Sequence, residues 1–209
     1  MKFIALVSSG IDSPVATYLL SQKAEDIILL HADNRPFTDQ REIEKFVTLA
    51  KFLKKILPSK LQAFLIPHGQ TLLSYKQSCD PRFSCVVCKR MMLRYAEAVA
   101  LQEGADAIIM GDSMGQVASQ TLQNLRVVEQ AVKIPILRPL IGFDKEDTIK
   151  IAKNIGTFDL SIAPADGCGA VPVKPSTRAR LEQILAEEQK INVDELVRQA
   201  VAHKTCVNL

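Results

Sequence analysis

Phe3-Ile4-Ala5-Leu6-Val7-Ser8-Ser9-Gly10-Ile11-Asp12-Ser13-Pro14 is the stretch from which the fold can be read. Phe3 to Val7 is a compact apolar run, suited to a strand buried on both faces, although periodicity alone does not separate it from buried helix. A helical pattern then runs from Ser13 to Gln22, with Ser13 as candidate N-cap and Pro14 at the first helical position. The turn between them is physically an anion site. Small residues let the backbone approach, its N–H groups converge, and the helix N-terminus adds positive potential. The serine hydroxyls can donate to phosphate oxygens, whereas the Asp12 carboxylate is compatible with phosphate only if Mg²⁺ lies between them. Neither a Walker loop nor a dinucleotide fingerprint is present, since Gly10 is the only glycine of the turn. Taken alone, the hexapeptide also fits an ordinary capped βα turn.

Working outward, similar apolar runs recur at Ile27 to His31, Ala63 to Ile66, Ala107 to Met110 and Ile134 to Leu137. Helical patterns separate them: Glu42 to Leu57, Lys89 to Gln102 with Gly104 as its stop, Ser119 to Val132, and Lys145 to Asn154. Two more helices, Thr177 to Gln189 and Val193 to His203, close the chain, the last opened by Asn192 with Glu195 as a capping-box pair. This alternation predicts an α/β fold: a doubly wound, mostly parallel five-stranded sheet with helices on both faces, plus C-terminal helices. Residues 1–175 are expected to form the domain and 176–209 its helical extension, an appendage with no strand after it. Ser78 to Cys88 and Ala163 to Pro175 read as irregular insertions, and both contain cysteine.

The composition narrows the class. With 47% hydrophobic residues among 209, the chain can bury a sizeable core, which excludes overall disorder. Lys+Arg 26 against Asp+Glu 23 leaves a formal +3, too little for a charge-dominated nucleic-acid binder but compatible with a smaller RNA-facing patch. Candidate strips are Lys51, Lys54, Lys55 and Lys60; Arg82, Lys89, Arg90 and Arg94; and Lys174, Arg178 and Arg180. No apolar stretch reaches the ~18 residues of a membrane span, and the N-terminus lacks signal-peptide context. The expected location is cytoplasmic, where the five cysteines stay reduced and serve metal or chemistry rather than disulfides. Cys85 and Cys88 form C-V-V-C, which by itself fits a redox pair, half a zinc site or two buried small residues.

Further blocks add to the turn. Strand, S-G-G-x-D-S and helix is the pyrophosphatase loop (PP-loop) of enzymes that split ATP between its α and β phosphates. Here Ser9 stands at the first glycine; were that position to need φ > 0, serine would cost about 1 kcal/mol. Together with Cys88-Lys89-Arg90-Met91-Met92, the block Gly111 to Leu125 (GDSMGQVASQTLQNL), Arg138-Pro139-Leu140, Asp144-Lys145-Glu146 and Val201-Ala202-His203-Lys204, the chain resembles the tRNA 4-thiouridine synthetase (tRNA sulfurtransferase) family along its whole length. That resemblance implies an adenine nucleotide alpha hydrolase-like PP-loop fold and an ATP-dependent sulfurtransferase that adenylates a uridine carbonyl in tRNA, after which sulfur displaces AMP.

By the same resemblance, Val7, Ser8, Ser9, Gly10, Ile11, Asp12 and Ser13 grip the phosphates, with Asp12 holding Mg²⁺. His31 and Ala32 serve the adenosine; Arg90, Gly111 and Gln120 match family nucleotide contacts. Lys145 matches a lysine that stabilises the activated phosphate, and Cys168 a catalytic cysteine. Cys85, Cys88 and Cys168 match the three-cysteine iron–sulfur pattern of archaeal-type members; zinc would need a fourth thiolate, for which Cys79 is the candidate. Full-length members carry an RNA-binding module and some a rhodanese domain, so the chain is expected to be a catalytic core. It would hold tRNA through its own patches, a second subunit in a homodimer or a separate protein, and take sulfur from sulfide or a persulfide carrier. The competing readings are a PP-loop ligase for a small molecule and a non-catalytic nucleotide- and metal-binding carrier. His68 and His203 read as ordinary packing residues.

Overall fold

The computed structural model describes residues 1–209. Strands β1 (Lys2–Leu6), β2 (Asp26–Asp33), β3 (Lys60–Pro67), β4 (Ala107–Ile109) and β5 (Ile136–Leu137) are parallel, and a short β6 (Thr205–Cys206) adds antiparallel to β3. The order is β5-β4-β1-β2-β3-β6. The chain therefore winds outward from β1 to β3, then returns to lay β4 on the other side of β1. The sheet has six strands rather than the five expected.

Alternation along the central strands explains the two-sided core. Phe3, Ala5 and Val7 with Ile27 and Leu29 face one side, where helices α1 (Asp12–Ser21), α2 (Gln40–Ile56) and α6 (Lys145–Asn154) contribute Val15, Phe46 and Ala152. Ile4, Ile28 and Leu30 face the other, against α4 (Ser84–Glu103), α5 (Leu122–Glu129), α8 (Leu181–Glu188) and α9 (Val193–Ala202). Strands covered on both faces need apolar residues at consecutive positions, which is why they read as unbroken runs.

Several boundaries differ from expectation. Ser13 does not cap α1: Ile11 occupies that position without a side-chain bond, and the Ser13 hydroxyl is used inside the turn. Helix α2 starts earlier, because Asp39 accepts the Glu42 N–H at 3.3 Å as its cap. The region Ser78 to Cys88, expected to be irregular, holds the last residue of helix α3 (Gly69–Ser78), a 3₁₀ turn at Pro81–Phe83 and the first turn of α4, so Cys85 and Cys88 sit on a helix. Ser119 to Val132 divides into a 3₁₀ turn (Ala118–Gln120) and α5, and a short α7 (Phe158–Ile162) follows α6. Gly104 ends α4 at φ 65°, a left-handed position that glycine adopts without strain.

The final helices are not an appendage. Ala179, Ile184, Ala200 and Val201 belong to the core cluster on the α4 side, and β6 follows them. Asn192 caps α9 through the Glu195 N–H, but the Glu195 carboxylate turns to Arg198 instead of completing a capping box. No helix is long and apolar enough to cross a membrane.

Candidate functional site

The site lies where the winding reverses, between β1 and β4, which is where doubly wound sheets offer a crevice. A cavity of about 380 Å³ opens at the carboxyl ends of the strands. Val7 and Ser8 line it from β1, His31 and Ala32 from β2, and Gly111 and Asp112 from β4. Asp12, Ser13 and Gln120 complete that half, while Cys85, Cys88 and Cys168 line the opposite wall.

The phosphate-loop turn is held by its own serines. The Ser13 hydroxyl accepts the Ser8 backbone N–H at 2.9 Å and stands 3.1 Å from Ser8 Oγ, which in turn accepts the Gly10 N–H at 3.3 Å. Ser9 is buried and donates to the Glu42 carboxylate at 2.6 Å. No non-glycine residue has positive φ, so serine at position 9 carries no left-handed strain. Ser9, Gly10 and Ile11 shape the turn without lining the cavity. Gly111 brings β4 against this turn: a Cβ there would stand 2.7 Å from both the N and Cα of Ser13. The two ends of the sequence-predicted machinery also meet, for Lys145 Nζ donates to Asp12 Oδ1 at 2.7 Å.

Behind the turn, Asp112 is buried between two cations, with Lys89 Nζ at 2.6 Å and Arg138 Nε at 3.2 Å. Burial works to raise the Asp112 carboxyl, but the two cations outweigh it and hold the group below its ordinary range. Arg90 is elsewhere. Its guanidinium is buried in a bidentate pair with Glu188, at 2.7 and 3.0 Å, and donates to the Val127 carbonyl. It does not reach the cavity, whereas its neighbour Lys89 does. The second basic strip is therefore dispersed: Arg94 joins Arg90 on Glu188, Lys89 is on Asp112, and Arg82 alone faces out, paired with Asp80.

Three residues that line the cavity each carry a buried polar atom with no partner: His31 Nε2, Asn34 Oδ1 and Gln120 Oε1. His31 Nδ1 is 2.8 Å from the Val7 carbonyl, which can only accept, so the ring proton sits on Nδ1 and Nε2 is a bare acceptor. The ring stacks on Phe46 at 4.3 Å, and burial lowers its pKa and keeps it neutral. Unpartnered acceptors on three residues of one cavity suit a ligand rich in N–H and O–H donors.

Burial pushes the Cys88 thiol up to about 12, and proximity to Cys168 and Cys85 adds to the shift; Cys85 is raised by burial and by Cys168. The three thiols thus share one wall, yet no group of three side chains stands at metal-binding spacing. Cys79 is not with them: its thiol donates to the Glu187 carbonyl at 3.3 Å, so a four-thiolate zinc site is not assembled. Cys206 is exposed on β6. Lys89, Asp112, Arg138, Glu42 and Asn34 line or brace the cavity without having been expected there from sequence, although Asp112 lies inside the Gly111 to Leu125 block.

A parallel sheet reversing at a serine-laced βα turn, with carboxylate and lysine meeting at that turn, defines the α/β nucleotide-binding proteins of the PP-loop type. Within that class the chain belongs to the family described as Thiamine biosynthesis protein (ThiI), whose profile matches residues 1–193. Curated relatives include a probable tRNA sulfurtransferase of Methanothermobacter thermautotrophicus, 44% identical over 201 residues (95% of this chain, 51% of the relative). Another, from Thermus thermophilus, is 40% identical over 205 residues, covering 97% of this chain and 50% of its own length. The chain spans about half the length of the curated relatives it matches. A solved 4-thiouridine synthetase in complex with RNA and with bound ATP superposes with TM-score 0.93 at 32% identity, covering 98% of this chain and 54% of that one. An NMN synthetase from Francisella tularensis shares the fold alone, with TM-score 0.57 at 16% identity.

Proposed function

We propose that this chain is the ATP-using catalytic part of a tRNA sulfurtransferase, acting on a uridine carbonyl to give 4-thiouridine. The observation that carries the reading is a single cavity lined on one side by a PP-loop turn and on the other by three cysteines. The ATP- and RNA-bound 4-thiouridine synthetase of the same fold supports it. The unpartnered acceptors His31 Nε2, Asn34 Oδ1 and Gln120 Oε1 match the amine and hydroxyl donors of an adenosine, and the turn with the first turn of α1 offers N–H groups for the phosphates.

The chemistry needs two displacements. The base carbonyl oxygen attacks the α-phosphorus of ATP, the bond to the β-phosphate oxygen breaks, and pyrophosphate leaves. A hydrosulfide sulfur then attacks the activated carbon, the C–O bond breaks, and AMP leaves. Lys145, held at the turn by Asp12, offsets charge that develops on the α-phosphate. With only one or two protein carboxylates nearby, Mg²⁺ would be held by Asp12 together with the nucleotide's own phosphates. Glu42 fixes the turn through Ser9, and Gln120 is tethered to Asp112 at 3.4 Å. Arg90 acts through the fold rather than on the nucleotide.

Cys85, Cys88 and Cys168 share one wall without standing at the spacing of a single bound ion, and as thiolates they are the donors an iron–sulfur cluster takes; such a cluster would supply hydrosulfide to the activated base. Sulfide or a persulfide carrier supplies the sulfur. A second cavity, about 540 Å³, adjoins the first through Leu72, Ser84, Ala170 and Val171 and is bordered by Lys76, Arg82 and Lys174. A cationic rim with an apolar floor suits an RNA strand presenting an extruded base.

Purified protein given ATP, Mg²⁺, sulfide and tRNA is expected to form AMP and thiolated RNA. AMP formation that a small carboxylate or heterocycle drives and RNA does not would replace this reading with that of a small-molecule ligase. Anaerobically purified protein is expected to be brown and to bleach in Cys85→Ala or Cys168→Ala; a colourless protein with stoichiometric zinc would overturn the cluster assignment.

A further inference from the structure

His68, between β3 and α3, is fully buried and bonded at both ring nitrogens. Nδ1 lies 3.1 Å from the Tyr95 hydroxyl and Nε2 lies 3.2 Å from Cys88 Sγ. Tyr95 Oη is in turn 2.7 Å from Thr71 Oγ1. Cys88 and Tyr95 stand two turns apart on one face of α4, so α4 carries both ends of the ring's hydrogen bonding. The line Thr71–Tyr95–His68–Cys88 runs from the buried interior to the cavity wall.

The interior end decides the direction of these bonds. Thr71 is buried, and Tyr95 Oη is the only hydrogen-bond partner of its hydroxyl. Its proton must therefore go to Tyr95, because the reverse order would leave a hydroxyl proton buried with no acceptor. Tyr95, accepting from Thr71, has only His68 Nδ1 to donate to. A buried imidazole with no carboxylate partner carries a single ring proton, and Nδ1 is taken as an acceptor. That proton is on Nε2, facing the Cys88 sulfur. The opposite order leaves the Thr71 hydroxyl proton unpaired, a greater loss than an unpaired proton on the weakly donating Cys88 thiol.

We propose that Thr71, Tyr95 and His68 form a one-way hydrogen-bond relay that aims an N–H at the Cys88 sulfur, so that the fold singles out Cys88 among the three cavity thiols as the ligand sulfur held by a hydrogen bond. The proposal rests on the sulfurtransferase reading of the cavity. Neither Cys85 nor Cys168 makes a side-chain hydrogen bond, so the three thiols are inequivalent before any ligand arrives. A hydrogen bond from nitrogen to anionic sulfur is stronger than one to a neutral thiol, and the donor lowers the cost of the charged form in a buried place. His68, Tyr95 and Thr71 are positioning residues, since none touches the cavity.

The chain has three histidines, so ring signals of ¹⁵N-histidine-labelled protein can be assigned by substitution. Long-range ¹H–¹⁵N correlation at neutral pH is expected to show His68 as the neutral Nε2–H tautomer, and an Nδ1–H tautomer overturns the relay. Single-turnover sulfur transfer is expected to fall about tenfold or more in His68→Leu, and to recover to within a few-fold in His68→Gln, whose amide restores a donor. Tyr95→Phe keeps the shape of a buried ring and is expected to slow sulfur transfer while leaving the ATP-dependent formation of the adenylated base unchanged. Equal transfer rates in His68→Leu and wild type would remove the assigned role of Cys88. If the tautomer is found but wild-type protein thiolates no RNA, the sulfurtransferase reading and the role of Cys88 fall while the polarity of the relay stands. Thiolation with the other tautomer sinks the relay alone.

Discussion

At position 111 a hydrogen atom where other residues carry a Cβ lets the end of β4 lie against the phosphate turn. The added carbon of Gly111→Ala would meet the Ser13 N and Cα at 2.7 Å and the Asp12 carbonyl carbon at 2.9 Å, and those are backbone atoms that cannot rotate away. Forced overpacking of this kind costs about 1–3 kcal/mol, and here it displaces the turn itself. Gly111→Ala is expected to lower Tm and to weaken ATP binding in calorimetry. Gly10→Ala, whose Cβ would meet only the Ser8 hydroxyl at 3.4 Å, is the control and is expected to disturb packing far less. Unchanged ATP affinity in Gly111→Ala would refute the close-approach argument. Residues of the turn were legible because their task is local: Asp12, Ser8 and Ser13 sit within one loop. Lys89 and Arg90 show the limit. Adjacent helical residues point about 100° apart, so a basic pair in sequence places one cation at the cavity and the other in the core. Which is which depends on Asp112 and Glu188, both far away in the chain.

At the scale of elements, Glu188 ties α8 to α4. Its carboxylate takes Arg90 and Arg94 together, each at 2.7 Å, in a nearly dry setting. Burial works to raise this carboxyl, and Arg94 and Arg90 outweigh it, leaving the group below its ordinary range in the folded protein. A carboxylate depressed on folding stabilises fully above its unfolded pKa and loses that contribution as pH falls through the folded value. Glu188→Gln leaves two guanidinium groups short of their charge partner, a loss on the order of 3 kcal/mol at neutral pH. The gap in urea stability between wild type and Glu188→Gln is expected to narrow as pH falls below the ordinary glutamate range and to close once the wild-type carboxyl protonates. A gap that stays constant as pH falls would mean that the pair contributes shape rather than charge. The long amphipathic helices were readable from their period and the buried strands from their unbroken apolar runs. The start of α4 was not, because Cys85-Val86-Val87-Cys88 lacks strong helix formers and is held by packing of Val86 and Val87 in the core. Strand β6, only Thr205 and Cys206, carries no period; it exists because Val207 N–H reaches the Ala63 carbonyl and the edge of β3 offers free partners.

At the scale of the molecule, the proposed tRNA substrate raises the question of how a chain of formal charge +3 would hold a polyanion. The cations at and behind the first cavity are spoken for: Arg90 and Arg94 lie on Glu188, Lys89 and Arg138 on Asp112, and Lys145 on Asp12. Lys76 and Lys174, which border the second cavity, have no carboxylate partner, and that cavity adjoins the wall that carries the cysteines. Counterion release makes each neutralised phosphate visible as salt dependence, and the slope of log affinity against log salt shrinks by about one for every phosphate left without its cation. The double variant Lys76→Glu with Lys174→Glu is therefore expected to raise the KM for tRNA and flatten its salt dependence. Nucleotide affinity is expected to hold, because neither lysine lines the first cavity. An unchanged KM and salt slope would place the RNA on another face, of which the Lys51, Lys54, Lys55 and Lys60 strip is the remaining clustered candidate; the same charge reversal applied there would then be expected to carry the effect.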